Sequence, residues 1–388
     1  MLVSNYPSHF NPVSGIFYKR MVDALIQQDV DFLIIAPRPL FKETLSRYRT
    51  GRQIKRANSV SRNRYELNNP RILRPYYIPI PWKSFRKLLF RQLRFVISRS
   101  IAKNKMQFDL IDARGAYPWC AIGLELSFKA KKPIISTFIG SDINVLIFQS
   151  NWIKGVVRRV VRHSAVVSVV SQDLKRTVSK EFGRRDLQVI YDSFDLSEFK
   201  KHKKSLKKQN NERPNQPVFG FVGSLSLMKG CDVLLELIKA YKNKVSWIIV
   251  GSGEYGRIIG KQANVRLMGN LDPERVLELY SEMDLFVFPS KSEGIPNVIK
   301  EAAYFELPIV ASEAGGIPEV MGNGRFGQTV EDYDNPQAFA NAIDSILQNW
   351  DYYQSLAIQH GSYVEKKFDV ISSANRLFKQ YSSMTEAS

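Results

Sequence analysis

The chain has 388 residues, 44% hydrophobic and 12% aromatic, a composition that excludes a disordered protein and suits two domains with separate cores. Its 56 Lys and Arg against 37 Asp and Glu give a formal charge of +19, and the excess sits in one half. Residues 1–200 hold 35 basic and 15 acidic groups, residues 201–388 hold 21 and 22, and residues 51–100 alone carry 13 basic groups with the single acid Glu66. A charge so confined points to a partner bound by the first half, with nucleic acid, anionic membrane and phosphorylated substrate all open. Cys120 and Cys231 are the only cysteines, and His9, His163, His202 and His360 are scattered without ligand spacing. No disulfide framework is available, and no metal site is expected. No apolar run approaches the ~20 residues that span a bilayer. The stretch Met1–Gly15 does not read as a signal peptide, and a reducing, cytosolic setting is the simplest expectation.

In chain order, a first strand must fit into Met1–Ser4, because Asn5-Tyr6-Pro7-Ser8 already reads as a loop. Either that strand is short or the natural start lies upstream. Further apolar runs follow at Phe32–Ala36, Leu110–Ala113, Ile134–Phe138, Ala165–Val170 and Leu187–Ile190. The second half adds Val218–Val222, Val245–Val250, Val265–Met268, Leu285–Phe288 and Ile309–Ala311. Several are apolar throughout, as strands covered on both faces are, and the spacers are long enough for crossover helices. The pattern predicts an α/β protein with two parallel-sheet, Rossmann-like domains. Lys200–Pro217, rich in lysine and proline, lies between them as an exposed linker. The expected division is residues 1–200, a basic linker 201–216, a second domain 217–365, and a C-terminal helix 366–388 packing back towards the first domain.

Between Lys83 and Lys105, Phe85, Leu88, Leu89, Leu93, Val96, Ile97 and Ile101 follow helical spacing. Arg86, Lys87, Arg91, Arg94, Arg99 and Lys103 fill the other arc, and Phe90 interrupts it. Such a helix suits a sheet-covering role with a charged outer face, an anionic lipid surface, or both. The basic region carries no recognisable nucleic-acid reader motif, so charge alone does not make it a nucleic-acid site.

The chemistry concentrates in the second half. Pro289-Ser290-Lys291-Ser292-Glu293-Gly294-Ile295-Pro296-Asn297-Val298-Ile299-Lys300-Glu301 follows the strand Leu285–Phe288 directly. Gly294, Ile295, Pro296 and Asn297 form a loop feeding a helix N-terminus, whose free N–H groups favour a negatively charged ligand. Glu293 and Glu301 are eight residues apart, a spacing that on a helix returns both carboxylates to one side. A carboxylate pair of this kind suits the hydroxyls of ribose or a sugar, and an acidic helix start is the plainer alternative. Upstream, Gly223-Ser224-Leu225-Ser226-Leu227-Met228-Lys229-Gly230 leads from a strand into a helix. Gly223 permits close backbone approach, and Lys229 offers a point charge to a phosphate. Gly15 marks another strand–loop–helix junction in the first half. Gly251-Ser252-Gly253-Glu254-Tyr255-Gly256 spells a dinucleotide fingerprint, but the next strand ends in Gly269-Asn270 rather than an acid. It reads as a tight βα turn, not a nicotinamide or flavin site.

Together these segments resemble the retaining glycosyltransferases of family four, which have the GT-B fold of two Rossmann-like domains facing a cleft. The resemblance rests on Tyr6 to Phe17, Gly140-Ser141-Asp142, Val222 to Gly230, Gly251-Ser252-Gly253, the Glu-x7-Glu segment Glu293–Glu301, and Leu307 to Glu319. It implies a nucleoside-diphosphate sugar as donor, held mainly by the second domain, with no metal and no cofactor. On that resemblance Glu301 takes the ribose hydroxyls, Glu293 the transferred sugar, and Lys229 the diphosphate. N–H groups from the Gly15 loop and the Ile295–Asn297 turn assist, and Gly269 and Asn270 border the base. The acceptor implied is a lipid-linked glycan or oligosaccharide of cell-surface polysaccharide synthesis. The basic first domain would then rest on the cytoplasmic face of the cell membrane, with no nucleic-acid partner. Three departures stand out: Ser224 where the family has arginine, Ile139 where many members have histidine, and Asp192-Ser193-Phe194-Asp195 in place of Asn-Gly-Val-Asp. Asp142 reads equally as a structural helix-start residue and as a catalytic one. The first two departures keep a second reading open, a nucleotide-sugar-binding protein of the same fold with impaired catalysis.

Overall fold

The computed structural model describes residues 1–8, 15–40, 71–79, 85–192, 199 and 214–386. The basic stretch 51–70, residues 193–195 of the turn before the linker, and linker residues 201–213 lie outside them. The chain packs as two compact units: Met1–Ser168 with Ser179–Gln188 and Ala374–Ser388, and Val169–Val178 with Val189–Ser373.

In the first unit, strands β1 (Leu33–Ile35), β2 (Arg38–Pro39), β3 (Arg71–Leu73) and β4 (Tyr76–Tyr77) make two short parallel pairs, β1 with β3 and β2 with β4. Strands β5 (Ile111–Arg114), β6 (Ile134–Phe138), β7 (Val166–Val169) and β8 (Gln188–Val189) make a sheet in that order. Leu2 bridges both Ile35 and Ala113, so the first residues form the minimal strand joining β1 to β5. The expected strand at Met1–Ser4 is therefore present and very short. Burial of the Met1 amine, which donates to Leu33 O at 2.6 Å, lowers its pKa to about 6.

Helix α1 (Ile16–Ile26) starts at Gly15, whose φ of 77° is left-handed. A Cβ there would stand 2.7 Å from the Asn5 carbonyl oxygen, so glycine satisfies both the turn and the close approach. Tyr18, Met21, Val22 and Leu25 then form its buried stripe. Helices α2 (Arg86–Lys103), α3 (Ala121–Ala130) and α4 (Asn151–His163) follow, and α5 (Gln172–Phe182) is divided, its residues up to Val178 belonging to the second unit. On α2 only Leu93 and Ile97 are buried. The apolar and basic arcs separate as expected over most of the helix, with Leu89, Val96 and Ile101 half-buried beside Leu93 and Ile97 and with Lys87, Arg91, Arg94, Arg99 and Lys103 exposed. The exceptions are Phe85 and Leu88 of the apolar arc, exposed at 46% and 52%, and Phe95 stands out at 62% on the basic side. Phe90, which seemed to interrupt the basic arc, turns inward to stack on Tyr117, 5.8 Å between centroids, and meets Trp152 edge-on.

The second unit is built on strands β9 (Val218–Val222), β10 (Ser246–Val250), β11 (Val265–Gly269), β12 (Leu285–Phe288), β13 (Ile309–Ser312) and β14 (Gln328–Val330). All pair in parallel in the order β11-β10-β9-β12-β13-β14. The order reverses between β9 and β12, and loops leaving the C-terminal ends of these two strands flank the switch point where open α/β sheets bind ligands. Helices α6 (Cys231–Ala240), α7 (Pro273–Tyr280), α8 (Asn297–Tyr304), α9 (Pro336–Gln348) and α10 (Trp350–Lys367) belong to this unit. Phe219, Phe221, Trp247, Phe286 and Phe288 are fully buried on the central strands, each worth about 2–3 kcal/mol of apolar burial. The last helix, α11 (Val370–Glu386), begins in the second unit, and from Ala374 it belongs to the first. There Tyr381 Oη donates to Asp112 Oδ2 at 2.5 Å, beside the buried Asp112–Arg114 ion pair.

Candidate active site

The switch-point loops gather most of the predicted residues. After β9 the chain passes Gly223 and Ser224, makes a single turn at Leu227–Lys229, and enters α6 through Gly230 in a left-handed conformation, φ 68°. A Cβ at Gly230 would lie 1.9 Å from the Pro289 carbonyl oxygen, so this glycine lets the β9 loop settle onto the β12 loop. The contact is tied by Lys291 N–H donating to Met228 O at 3.0 Å, with Ser290 Oγ 3.3 Å from the same oxygen.

At that junction Lys229 Nζ donates to Glu293 Oε1 at 2.5 Å, and Ser290 Oγ donates to the same oxygen at 2.7 Å. Both side chains are mostly enclosed, with 28% of Lys229 and 11% of Glu293 exposed. Lys229 also lies 5.8 Å from the centroid of the Phe288 ring, which stacks on Phe221. The two residues expected to meet different parts of a ligand are thus direct partners. Beside them Lys291 bridges Asp232, at 2.8 Å, and Asp334, at 2.5 Å.

The 293–294 loop rests on the Gly315-Gly316 pair. A Cβ at Gly315 would lie 2.0 Å from Glu293 O and one at Gly316 1.7 Å from Gly294 O. Pro296 is extended, and α8 begins only at Asn297. Glu293 precedes the helix, as the loop reading of Gly294–Asn297 expects, so a loop rather than the helix period sets its position relative to Glu301. Glu301 does lie in the second turn of α8, where its Oε2 accepts from Tyr280 Oη at 2.9 Å.

Gly269 closes β11 with a left-handed φ of 66° and open space around its α-carbon, with Asn270 after it at the sheet edge. Gly15 belongs to the other unit, as the start of α1. The Gly251–Gly256 motif proves to be a packing device. A Cβ at Gly251 would lie 1.8 Å from Gly223 O and one at Gly253 2.3 Å from Leu225 O, while Glu254 accepts from Leu227 N–H at 3.1 Å. These glycines seat the β10 loop against the loop bearing Ser224 and Lys229. Ser224 Oγ lies 3.4 Å from Ser226 Oγ and brings no charge.

In the first unit Asp142 resolves to a structural role. Its carboxylate accepts from the N–H groups of Ala116 at 2.7 Å, Gly140 at 2.8 Å, Ile143 at 3.1 Å and Ile139 at 3.2 Å, pinning the β5 loop to the β6 loop. Burial raises its pKa, and those N–H groups oppose the rise. Sequence reasoning missed Tyr280, Ser290 and the buried Glu319. Glu319 accepts from Asp173 N–H at 3.0 Å and from Tyr191 Oη at 3.1 Å. Glu319 lay within a quoted motif, whereas Tyr280 closes a helix that carries no motif.

A parallel sheet with glycine-seated loops and an enclosed Lys–Glu pair at its switch point defines the class of open α/β proteins that bind ligands at that point. The comparisons narrow this class. Residues 15–198 match the family described as Glycosyltransferase Family 4 and residues 202–360 the one described as Glycosyl transferases group 1. The chain belongs to these glycosyltransferases. The putative teichuronic acid biosynthesis glycosyltransferase TuaC of Bacillus subtilis is 26% identical over 100% of this chain and 98% of its own. The capsular polysaccharide biosynthesis glycosyltransferase CapM of Staphylococcus aureus is 27% identical over 54% of this chain and 55% of its own. Among solved structures, sucrose-phosphate synthase of Thermosynechococcus elongatus superposes with a TM-score of 0.75 at 16% identity, covering 96% of this chain and 94% of that one. HepE of Anabaena, solved in complex with UDP, gives 0.71 at 20% identity over 98% of both chains. These likenesses establish the GT-B fold.

Proposed function

We propose that this chain is a retaining glycosyltransferase that moves a sugar from a nucleoside-diphosphate sugar onto a lipid-linked glycan of a cell-surface polysaccharide. The observation that carries the reading is the enclosed Lys229–Glu293 pair at the switch point, with Glu301 on the adjoining helix. Relatives named for teichuronic acid and capsular polysaccharide synthesis, and a structural neighbour holding UDP, support the donor and the pathway class.

In the proposed mechanism Glu301 accepts from the ribose hydroxyls and Glu293 from the hydroxyls of the transferred sugar. Lys229, the N–H groups of Gly294, Ile295 and Asn297, and the N-terminal dipole of α8 take up charge on the diphosphate. Gly223 and Ser224 border the diphosphate by backbone, Pro296 fixes the loop, and Gly269 and Asn270 border the base. Gly15 offers a backbone N–H at the start of α1. The bond from the anomeric carbon to the β-phosphate oxygen breaks, and the acceptor oxygen bonds on the same face. Its proton passes to the departing diphosphate. Fixed cations and dipoles supply the electrostatic stabilisation, so neither metal nor cofactor is required. With serine at 224, more of that charge falls on Lys229.

The basic first unit would hold the enzyme at the cytoplasmic face of the cell membrane. In support, α2, α3 and α4 adjoin through Arg94–Glu125 and through Arg159 over the Phe128 ring. Their outer surfaces mix arginines with exposed Leu88, Phe95 and Phe128. No described helix is long and apolar enough to cross a membrane.

The test is transfer and binding with a panel of nucleotide-sugars and a membrane extract as acceptor source. Glu301→Ala is expected to weaken donor binding about tenfold or more. Lys229→Ala is expected to lower kcat by on the order of 10²-fold. Absence of both transfer and nucleotide binding in the wild type overturns the reading, and donor binding without transfer to any extract points instead to a nucleotide-sugar-binding protein.

A further inference from the structure

We infer that Tyr280 is a positioning residue for the donor's ribose: its hydroxyl fixes the Glu301 carboxylate that takes the ribose diol. The inference rests on the nucleoside-diphosphate reading and extends it to a residue outside every motif in the sequence.

Tyr280 is the last residue of α7 and is fully buried. Its ring stacks on Phe305, 5.6 Å between centroids and 19° between planes, and tilts against Phe286 at 5.8 Å. Both neighbours are anchored, Phe286 in the centre of β12 and Phe305 at the end of α8. The ring therefore has one position, and so does its hydroxyl. Burial, followed by the charge of Glu301, raises the phenol pKa well above its ordinary value, so the group stays protonated and donates. Its 2.9 Å bond to Glu301 Oε2 is charge-assisted, and a further contact reaches Val298 O in the first turn of the same helix at 3.5 Å.

A glutamate side chain in water samples many rotamers, and ordering them on ligand binding subtracts from affinity. The tyrosine moves that ordering into folding. A carboxylate held by a rigid donor presents a fixed acceptor to a diol, whose two hydroxyls are themselves fixed by the ribose ring. Discrimination between ribose and a deoxy sugar then depends on Tyr280 although it touches neither.

The experiment measures binding of UDP, ADP and GDP and of their 2′- and 3′-deoxy counterparts to wild type, Tyr280→Phe, Glu301→Ala and the double variant. Unfolding midpoints are recorded for each. Tyr280→Phe keeps both ring contacts and removes only the hydroxyl. For the ribonucleotide that binds, the wild type is expected to prefer ribose over at least one deoxy form by about tenfold or more. Tyr280→Phe is expected to reduce that preference to within about threefold, and to add nothing further to Glu301→Ala. A wild-type preference retained in Tyr280→Phe overturns the inference, whatever the change in midpoint, and so does additivity in the double variant. A wild type that binds nucleotides without preferring ribose overturns it while leaving the nucleotide reading intact. A wild type that binds none of the diphosphates overturns the reading itself and the inference with it.

Discussion

At the residue scale the second unit is specified by where side chains are absent as much as by where they are present. Gly230, Gly251, Gly253, Gly315 and Gly316 each occupy a point where one loop's carbonyl meets another loop's backbone at a distance that no Cβ could share. Lys229, Glu293 and Glu301 were legible as residue types with the right chemistry. Their mutual geometry was not, because a loop rather than a helical repeat brings Glu293 to Lys229. Tyr280 and Ser290 were illegible, since a phenol or hydroxyl acquires meaning only from the carboxylate that the fold places against it. The buried His360 carries a prediction. Burial lowers its pKa from 6.5 to about 4, its Nε2–H donates to Val320 O at 2.8 Å, and its ring stacks on Phe326. The unfolded chain binds this proton more readily, so the stability involved is fully present above about pH 6.5. It is lost as pH falls towards about 4, by on the order of 3 kcal/mol. Denaturation of His360→Gln across that window should show a shallower acid loss than the wild type.

At the element scale, continuous apolar runs located the central strands because a strand covered on both faces leaves no polar position to obscure it. Short or half-polar strands escaped, among them β14 with Gln328 and Thr329, and the two-residue β2 and β4. The run at 265–268 is real but lies at the sheet edge as β11, where Arg266 and Leu267 are exposed. The helix predicted at 83–105 forms at 86–103 with its faces largely as the wheel places them, except that Phe85 and Leu88 stay exposed, because periodicity alone does not say which apolar residues find a neighbour. Leu88 and Phe95 project among Lys87, Arg91, Arg94 and Arg99, while α4 adds the exposed Arg158, Arg159 and Arg162. Binding to vesicles containing about 30% anionic lipid should exceed binding to neutral vesicles and fall with salt. The charge-reversed triple variant Arg91→Glu, Arg99→Glu, Arg159→Glu should reduce it about tenfold or more. Binding unaffected by lipid charge would remove the membrane role from this surface.

At the scale of the whole molecule, two parallel-sheet units were legible from two sets of runs separated by a charged, proline-bearing stretch. The division by packing places the boundaries differently: Val169–Val178 and the residues from Val189 belong to the second unit, and only the segment from Ala374 onward returns to the first. Sequence proximity could not reveal the exchange at 169–178, whereas the return of a C-terminal helix to the first domain was legible and only its boundary moved, from 366 to 374. The return of the chain is anchored by Tyr381 on Asp112 and by its ring edge-on to Phe32, 6.4 Å between centroids. Removing that hydroxyl with Tyr381→Phe leaves a buried carboxylate one donor short, at about 1–3 kcal/mol. Hydrogen exchange should quicken in β5 and α1 while β9, β10 and β12 keep their protection.

The same return sets an order of events during synthesis. A ribosome that has finished the first 190 residues has released nearly every strand of the first unit but not the helix that carries Leu377, Tyr381 and Met384 into its core. Asp112, already paired with Arg114, waits 269 residues for the Tyr381 hydroxyl. The sheet of the second unit, drawn entirely from Val218 to Val330, needs nothing so distant and is free to form before that helix is made. The half of the protein made earliest is thus the half completed last.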